Sequence, residues 1–373
     1  MHYNREVHAI KKKDGVRSRR AVISRNARTT RQGTEYLVSD TDGLANDRPT
    51  LKTIANLAGL SVASVSRALK NAPDIGEETK VRVRDIALQI GYRPNRAGVR
   101  LRTGRTNVIA LVMSAESDVM NHTAKLIHSV ASGLRGTPYH MVVMPFFSDE
   151  DPMTTIRYIW ETGSADGVII NQITPHDPRV AFMTAHGLPF ATHGRSDMGL
   201  DHPYFDYDNE EYSRLMVRAL VGRGRSNLAL LSPPATQSYG QHMTTGFLDE
   251  TRKLGVRGHV VGGINSDYGR ARIEAAMKDI FLGPDRPDGV VVGSTTGAMC
   301  TIAAAEAAGL TIRQDFDIAG KEAIPILSLF RPGIIVTYED VGRAGDFLVR
   351  AVMAAIENRG APPQQALDIP TLL

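Results

Sequence analysis

From residue 107 onward the chain carries nine runs of strand length in which apolar residues stand together instead of alternating with polar ones. They are "VIALVM" (108–113), "HMVVM" (140–144), "GVII" (167–170), "PFAT" (189–192), "LALL" (228–231), "HVVGG" (259–263), "GVVVG" (289–293), "DIAG" (317–320) and "GIIVT" (333–337). A strand with one wet face alternates; a continuous run is buried on both faces, as in a parallel sheet covered by helices. Helical stretches at 123–134, 210–221, 246–254 and 298–308 lie between the runs and supply the crossovers. Nine strands in about 250 residues fit two subdomains, each a doubly wound α/β sheet with its ligand at the strand C-termini. The closing "ENRGAPPQQALDIPTLL" reads as a terminal strand and tail.

The residues before 107 follow a different pattern. Thr50 is a good N-cap for a helix over 51–58, and Gly59 stops that helix. Ser61 caps a second helix over 62–69, and a turn with Asn71, Pro73 and Gly76 follows. Glu77 and Glu78 open a third helix, where its dipole favours them, and the helix runs to about Ile90. Ile54, Leu57, Ala58, Val65, Leu69, Val83, Ile86, Ala87 and Ile90 fall at helical spacings and predict one small shared core. Two short helices joined by a glycine turn and braced by a third make a helix-turn-helix headpiece. Its second helix, within "TIANLAGLSVASVSRALKN", keeps a face of small and polar residues that this core does not use.

Charge points to the partner of that face. Residues 1–48 carry 11 Lys/Arg against 6 Asp/Glu, and residues 49–105 carry 11 against 4, whereas the whole chain has 44 against 40. The basic excess therefore sits in the N-terminal third, as expected where only that part meets a polyanion. The chain divides into a basic arm (1–48) expected to be disordered, a headpiece (49–93), a basic hinge helix or linker (94–106) and a core (107–373). No apolar run approaches the ~18 residues of a membrane span. The N-terminal segment has no apolar stretch after its charges, so a cytoplasmic location is expected. The single Cys300 fits a reducing compartment and excludes a cysteine-based zinc site.

The segments "AGLSVASVSRAL", "ETKVRVRDIALQIGYRPN" and "LRTGRTNVIALV" closely resemble the DNA-binding headpiece and hinge of the LacI/GalR family of transcriptional regulators. The resemblance covers about residues 50–355. It implies a headpiece, a hinge helix and a periplasmic-binding-protein-like core of two doubly wound α/β subdomains that dimerises on a pseudo-palindromic double-stranded operator. It also implies that the second helix enters the major groove. By position, Val62 and Ala63 would read bases by apolar contact, and Arg67 would make a bidentate contact to guanine. Ser61, Ser64, Ser66 and Asn71 suit phosphates or base edges, and Lys70 suits phosphate. Ser61 reads equally well as a simple N-cap. Thr50, Tyr92, Arg93, Asn95, Arg96 and Arg102 complete the expected DNA-contact set, and Leu101 takes the place of a leucine that wedges into the minor groove. Gly98 and Val99 replace the more usual Ala-Arg, and a glycine within a helix costs roughly 1 kcal/mol relative to alanine. The free hinge is therefore expected to be disordered and to fold on the operator.

The same resemblance places a small effector between the two subdomains. Candidate contacts are the polar residues just after each strand: Ser114, Glu116, Asn171, His193, Arg195, Asp208, Gln241, Ser294, Lys321 and Glu339. Polar groups converging on one cleft suit a polyhydroxylated ligand, because each desolvated hydroxyl needs partners. Each also has a plainer reading as loop chemistry; Asp208 can cap the following helix, and His193 can be a buried histidine. Gln241 stands where many sugar-responsive members have Arg, and Lys321 where they usually have Asp. "THGRSD", "FDYDNEE" and "FRPGIIVTYEDVGRAG" are similar to the alpha-glucoside/raffinose-type branch, so an oligosaccharide is expected, with an acidic or phosphorylated sugar as the competing ligand.

Two other classes are disfavoured. A transport-type binding protein would need a signal peptide and no headpiece. An enzyme would need a reactive constellation, yet the chain has no G-x-S-x-G, no Walker loop and no metal-ligand spacing, and "GRGRSN" fails the dinucleotide fingerprint. No cofactor or metal is expected, and the missing heptad tail after Ile356 favours a dimer.

Overall fold

A computed structural model describes residues 49–93, 96–114, 120–147 and 149–372, which form two compact units meeting in the chain between Arg93 and Pro94. The arm expected at 1–48 lies outside the described residues.

The first unit holds α1 (Leu51–Ala58), α2 (Val62–Leu69) and α3 (Glu77–Gln89). Thr50 and Thr53 form a reciprocal capping box at the start of α1. Gly59 ends that helix in the left-handed conformation at φ 66°, its N–H donating to the Ala55 carbonyl. Ile54, Val65 and Val83, one from each helix, are fully buried together. Leu57 was expected in this core but is 59% exposed. The buried stripe of α1 runs through Ile54, Ala55 and Ala58, and Leu57 falls about 110° from its centre at 100° per residue.

The second unit opens with the hinge helix α4 (Arg96–Thr103), followed by β1 (Val108–Ser114), α5 (Met120–Gly133), β2 (His140–Phe146), α6 (Met153–Thr162), β3 (Gly167–Ile170), α7 (Pro178–Ala185), β4 (Phe190–His193) and β5 (Tyr204–Tyr207). The hinge is helical here, contrary to the expectation drawn from Gly98. Its Arg100 donates through Nη2 to the Thr162 carbonyl at 2.7 Å. That carbonyl closes α6, where the helix dipole favours a cation, so the anchor offsets the weak helix propensity.

A second series follows: α8 (Asn209–Gly222), β6 (Asn227–Leu231), α9 (Ser238–Leu254), β7 (Arg257–Val260), α10 (Arg270–Leu282), β8 (Gly289–Val292), α11 (Thr295–Ala307), β9 (Asp317–Glu322), α12 (Leu327–Phe330) and β10 (Ile335–Tyr338). The chain then returns to the first sheet through α13 (Val341–Glu357) and β11 (Gln365–Asp368). The six-stranded sheet has the order β11-β5-β4-β3-β1-β2 and the five-stranded sheet β10-β9-β8-β6-β7, and neighbouring strands run parallel in both. Apart from the added β11, both follow one doubly wound order, which puts the ligand-binding crevices at β1/β3 and β6/β8.

Continuous apolar runs arise because both sheet faces are covered. Ile109, Leu111 and Met113 pack with Leu348 and Val352 of α13, while Ala110 and Val112 pack with Ile156 of α6 and Val180 of α7 on the other face. In the second sheet Ala229 and Leu231 face α10 and α11, and Leu228 and Leu230 face α8 and α9. Each such large side chain contributes roughly 1.5–3 kcal/mol when fully buried. The edge strand β2 departs from this rule: Val142 and Val143 are exposed. The strand β5 was not expected, because "YFDY" has a charged residue in its middle, and Asp206 is buried all the same.

The passages between subdomains after β5 and after β10 lie beside the end of β11. Asp208 N–H donates to the Asp368 carbonyl at 2.9 Å, and Arg343 at the start of α13 pairs with Asp368 at 2.6 Å. Tyr207 Oη donates to Thr337 Oγ1 at 3.1 Å. Among the described residues, no helix is long and apolar enough to cross a membrane.

Candidate functional site

The outer face of α2 is set by what its inner face buries. Val65 and Ala68 are fully buried, which turns Val62, Ala63 and Arg67 outward; Val62 is 43% exposed. Arg67 Nη1 lies 2.6 Å from Asp74 Oδ2, an exposed pair that orients the guanidinium across the turn after α2. Ser61 caps α2, accepting from Ser64 N–H at 3.1 Å, and the two hydroxyls lie 3.0 Å apart. Ser66 is half-buried and Lys70 exposed. Asn71 takes a left-handed conformation (φ 59°), and its side-chain oxygen accepts from Arg84 at 3.1 Å. Asn71 is thus held to α3 as a turn residue. Thr50 is occupied in its capping box, and Tyr92 packs against the headpiece core. Arg93 is exposed, and Leu101 on α4 is 90% exposed. Asn95 and the side chains of Arg96 and Arg102 lie outside the described residues.

In the core, a cavity of about 1030 Å³, mouth included, lies where the C-terminal ends of the two sheets face each other. Asn171, His193 and Arg195 line it from the first subdomain, Ser294 and Lys321 from the second, and Glu339 from the passage after β10. Six of the ten effector candidates therefore converge on one cavity. Ser114 does not; it is buried at the end of β1, in the wall of a neighbouring hollow. Asp208 also stays out, because its carboxylate caps α8 by accepting from Glu211 N–H at 3.0 Å. Its neighbours Tyr207 and Asn209 line the cavity instead. Gln241 points away: Ser238 and Tyr239 of α9 face the cavity, and Gln241, about 200° round the helix from Tyr239, donates to the Ala235 carbonyl at 3.0 Å. Glu116 lies outside the described residues.

Two ion pairs set the charge of the cavity. Lys321 Nζ is 2.8 Å from Glu339 Oε2 and donates to Asn209 Oδ1 at 3.0 Å. Burial alone pushes the Glu339 carboxyl up, but Lys321 and His122 outweigh it and hold the group well below the ordinary range. Arg195 Nη1 approaches Asp206 Oδ2 at 3.4 Å, close enough for charge pairing, although that oxygen has no hydrogen bond. Asp206 is pushed up to about 7, by burial first and then by Glu339 and Asp208, against Arg195 and Lys321. His193 is pushed down to about 3 by burial and by the neighbouring His122, so its imidazole is neutral. Its ring stacks on Phe205 at 6.2 Å, and its Nε2 has no partner.

The neighbours of the candidates complete the cavity. His122 contacts Glu339 at 3.1 Å, and Asp267 accepts from Tyr239 Oη at 3.3 Å. Ser294 caps α11 and donates to the Ser266 carbonyl at 2.9 Å, while Thr295 and Thr296 open that helix onto the cavity. Thr295 and Thr296 were within reach of a rule that scans past each strand. His122, far from any expected strand end, was not. His122, His193 and Glu339 hold ligand-type atoms within 4.8 Å of one another. The Lys321 ammonium already supplies positive charge there, so the group works as an ion-pair network.

Comparison with known proteins agrees with this architecture. The family model "Bacterial regulatory proteins, lacI family" matches residues 50–95, and "Periplasmic binding protein-like domain" matches 217–373. The chain is 32% identical over 333 residues to the HTH-type transcriptional regulator AglR of Rhizobium meliloti (strain 1021), covering 85% of this chain and 90% of that one. It is 29% identical over 279 residues to the HTH-type transcriptional regulator RafR of Escherichia coli, covering 74% and 80%. In fold it is similar to the lac repressor dimer bound to operator and the anti-inducer ONPF, with a TM-score of 0.78 at 19% identity over 88% of this chain and 98% of that one. It is also similar to the CelR–cellobiose complex, with a TM-score of 0.64 at 20% identity over 87% and 98%. The helix-turn-helix, the twin doubly wound sheets and these matches together make the chain a member of the LacI family of bacterial transcriptional regulators.

Proposed function

We propose that this regulator is a cytoplasmic homodimeric repressor of carbohydrate-utilisation genes whose operator affinity is set by a neutral saccharide bound in the core cavity. Val62, Ala63 and Arg67 would read bases, Leu101 of each hinge would enter the minor groove, and the effector would change how the subdomains sit. Operator and effector are then linked by a reciprocal coupling energy, typically ~1–3 kcal/mol. The residues have binding roles, and none is assigned catalysis.

The observation that carries the ligand class is the internal pairing of Lys321 with Glu339 at 2.8 Å. An anionic ligand would have to displace a carboxylate from a buried pair. A polyol meets no such cost and offers hydroxyls to Asn171 Oδ1 and His193 Nε2, neither of which has a hydrogen-bond partner. One feature favours a second reading: α11 opens onto the cavity at Thr295 and Thr296, and a helix N-terminus suits a phosphate. A thermal-shift screen of the full chain against neutral sugars and the matching sugar phosphates separates the two. Ligands of the folded state raise its melting temperature, so neutral sugars acting above their phosphates supports the first reading, and the reverse order overturns it.

A further inference from the structure

One short turn grips the hinge helix and the chain that leaves it. Residues 162–166 join the end of α6 to the start of β3. The Thr162 carbonyl accepts from Arg100 Nη2 at 2.7 Å, and Gly163 leaves room for that guanidinium, because a Cβ there would lie 3.3 Å from it. At the other end of the turn, Asp166 holds the chain after α4 by three bonds. Its Oδ1 accepts from Thr106 N–H at 2.7 Å and from Thr106 Oγ1 at 2.8 Å, and its Oδ2 accepts from Asn107 N–H at 2.9 Å.

We propose that Asp166 is a positioning residue for operator binding: acting through the hinge rather than on DNA itself, it fixes where α4 leaves the core and so where Leu101 is presented. The inference rests on the reading that α4 meets the operator.

The exit from α4 is built to be held. Gly104, directly after the helix, turns the chain at φ 70° with its N–H on the Arg100 carbonyl at 2.8 Å. Asn107 is also left-handed, at φ 54°, which is uncommon outside glycine. Both of its backbone polar groups are committed, the N–H to Asp166 and the carbonyl to His140 N–H at 3.0 Å. Only Gly104 and Arg105 separate α4 from Thr106, so a grip at Thr106 limits how far the helix can swing. A carboxylate suits this grip because both oxygens accept and neither donates, and its bonds to N–H groups are charge-assisted. A segment directed before it meets its target loses less freedom on binding.

The second subdomain repeats the device without a hinge. Asp288 and Gly289 open β8 as Asp166 and Gly167 open β3, and the registers correspond: Ile109 pairs with Gly167, and Leu228 with Gly289. Asp288 accepts from Ser226 N–H at 3.0 Å and from Asn227 N–H at 2.9 Å, at the start of β6. Ahead of β6 lies α8, which packs within the core; ahead of β1 lies α4. The same brace therefore supports a strand in both sheets, and in the first it also directs the hinge.

The test compares Asp166→Asn with Asp288→Asn in the full chain, titrating two duplexes: the operator obtained by binding-site selection with wild-type protein, and a scrambled sequence. Either substitution sets an amide donor against a backbone N–H, so both should lower the melting temperature. Asp166→Asn should also cut the preference for operator over scrambled duplex by about tenfold or more. Asp288→Asn should keep the wild-type preference. Equal preferences in the two variants would reduce Asp166 to a brace of the fold. If Asp166→Asn does not fold, Thr106→Val decides, and an unchanged preference there overturns the proposal. Wild-type preference in Asp166→Asn, with preference lost in Leu101→Ala, removes the positioning role and leaves the operator reading standing. A wild-type chain that selects no sequence removes both.

Discussion

The Lys321 ammonium and the Glu339 carboxylate lie 2.8 Å apart in the wall of the core cavity, and both side chains are largely buried. Glu339 also reaches His122 of the first subdomain at 3.1 Å, and Lys321 reaches Asn209 at the start of α8 at 3.0 Å. The pair therefore ties together the two subdomains and a passage between them at the place where a ligand would enter.

Removing one partner strands the other in low dielectric. Lys321→Met should cost about 3–5 kcal/mol, because an uncompensated buried charge is expensive. Adding Glu339→Gln should restore most of that loss. Urea unfolding of both single variants and the double variant measures the coupling, and additive losses would mean that the pair does not interact.

Asp206 predicts a pH dependence. Its ordinary value is 3.8 and its folded value about 7, with Arg195 and Lys321 favouring the charged form and burial, Glu339 and Asp208 opposing it. Between those values the folded chain keeps a proton that the unfolded chain releases, so this group's contribution to stability falls as pH rises. It is fully present below pH 4 and lost once pH passes about 7. Asp206→Asn should remove that slope, worth at most roughly 4 kcal/mol at 1.36 kcal/mol per unit. Parallel slopes for wild type and variant between pH 4 and 8 would contradict the assignment.

Arg67→Ala should relax sequence preference at one operator position, since a bidentate arginine–guanine contact carries about 1–3 kcal/mol of discrimination. Asp74→Asn should loosen the orientation of Arg67, which the 2.6 Å pair now holds. Binding-site selection reads both effects, and an unchanged preference with Arg67→Ala would refute its role.

Leu101→Ala should weaken specific binding more than non-specific binding, because only a kinked operator rewards an inserted side chain. Leu101 is 90% exposed, so the substitution removes no packing from the fold. Equal losses on operator and scrambled duplex would argue against a wedge.

Arg100→Ala should release α4 from the end of α6. Faster amide exchange across 96–103, with the rest of the core unchanged, is the expected outcome, because the Arg100 guanidinium ties that helix to the Thr162 carbonyl of α6. Exchange as slow as in the wild-type chain would place the hinge's stability elsewhere.

Local chemistry made much of the fold legible in sequence. Thr50, Ser61 and Gly59 mark helix ends by capping and left-handed geometry, and these are decided within a few residues. The apolar runs revealed parallel strands because burial on both faces removes alternation, as Ile109 and Ala110 demonstrate on opposite sides of β1. Strand ends were equally readable, and six effector candidates taken from them do meet in one cavity.

Tertiary structure alone decided which polar groups face that cavity and in what charge state. Helix phase turned Gln241 outward and Tyr239 inward, and a capping bond took Asp208. His122 joined Glu339 across 217 positions, a separation that no local pattern encodes. Lys321 reads in sequence as a lone cation, and folding pairs it with Glu339 at 2.8 Å. Local geometry is set by neighbours in the chain, whereas desolvation and pairing depend on neighbours in space, and those exist only once both sheets have closed around the cleft.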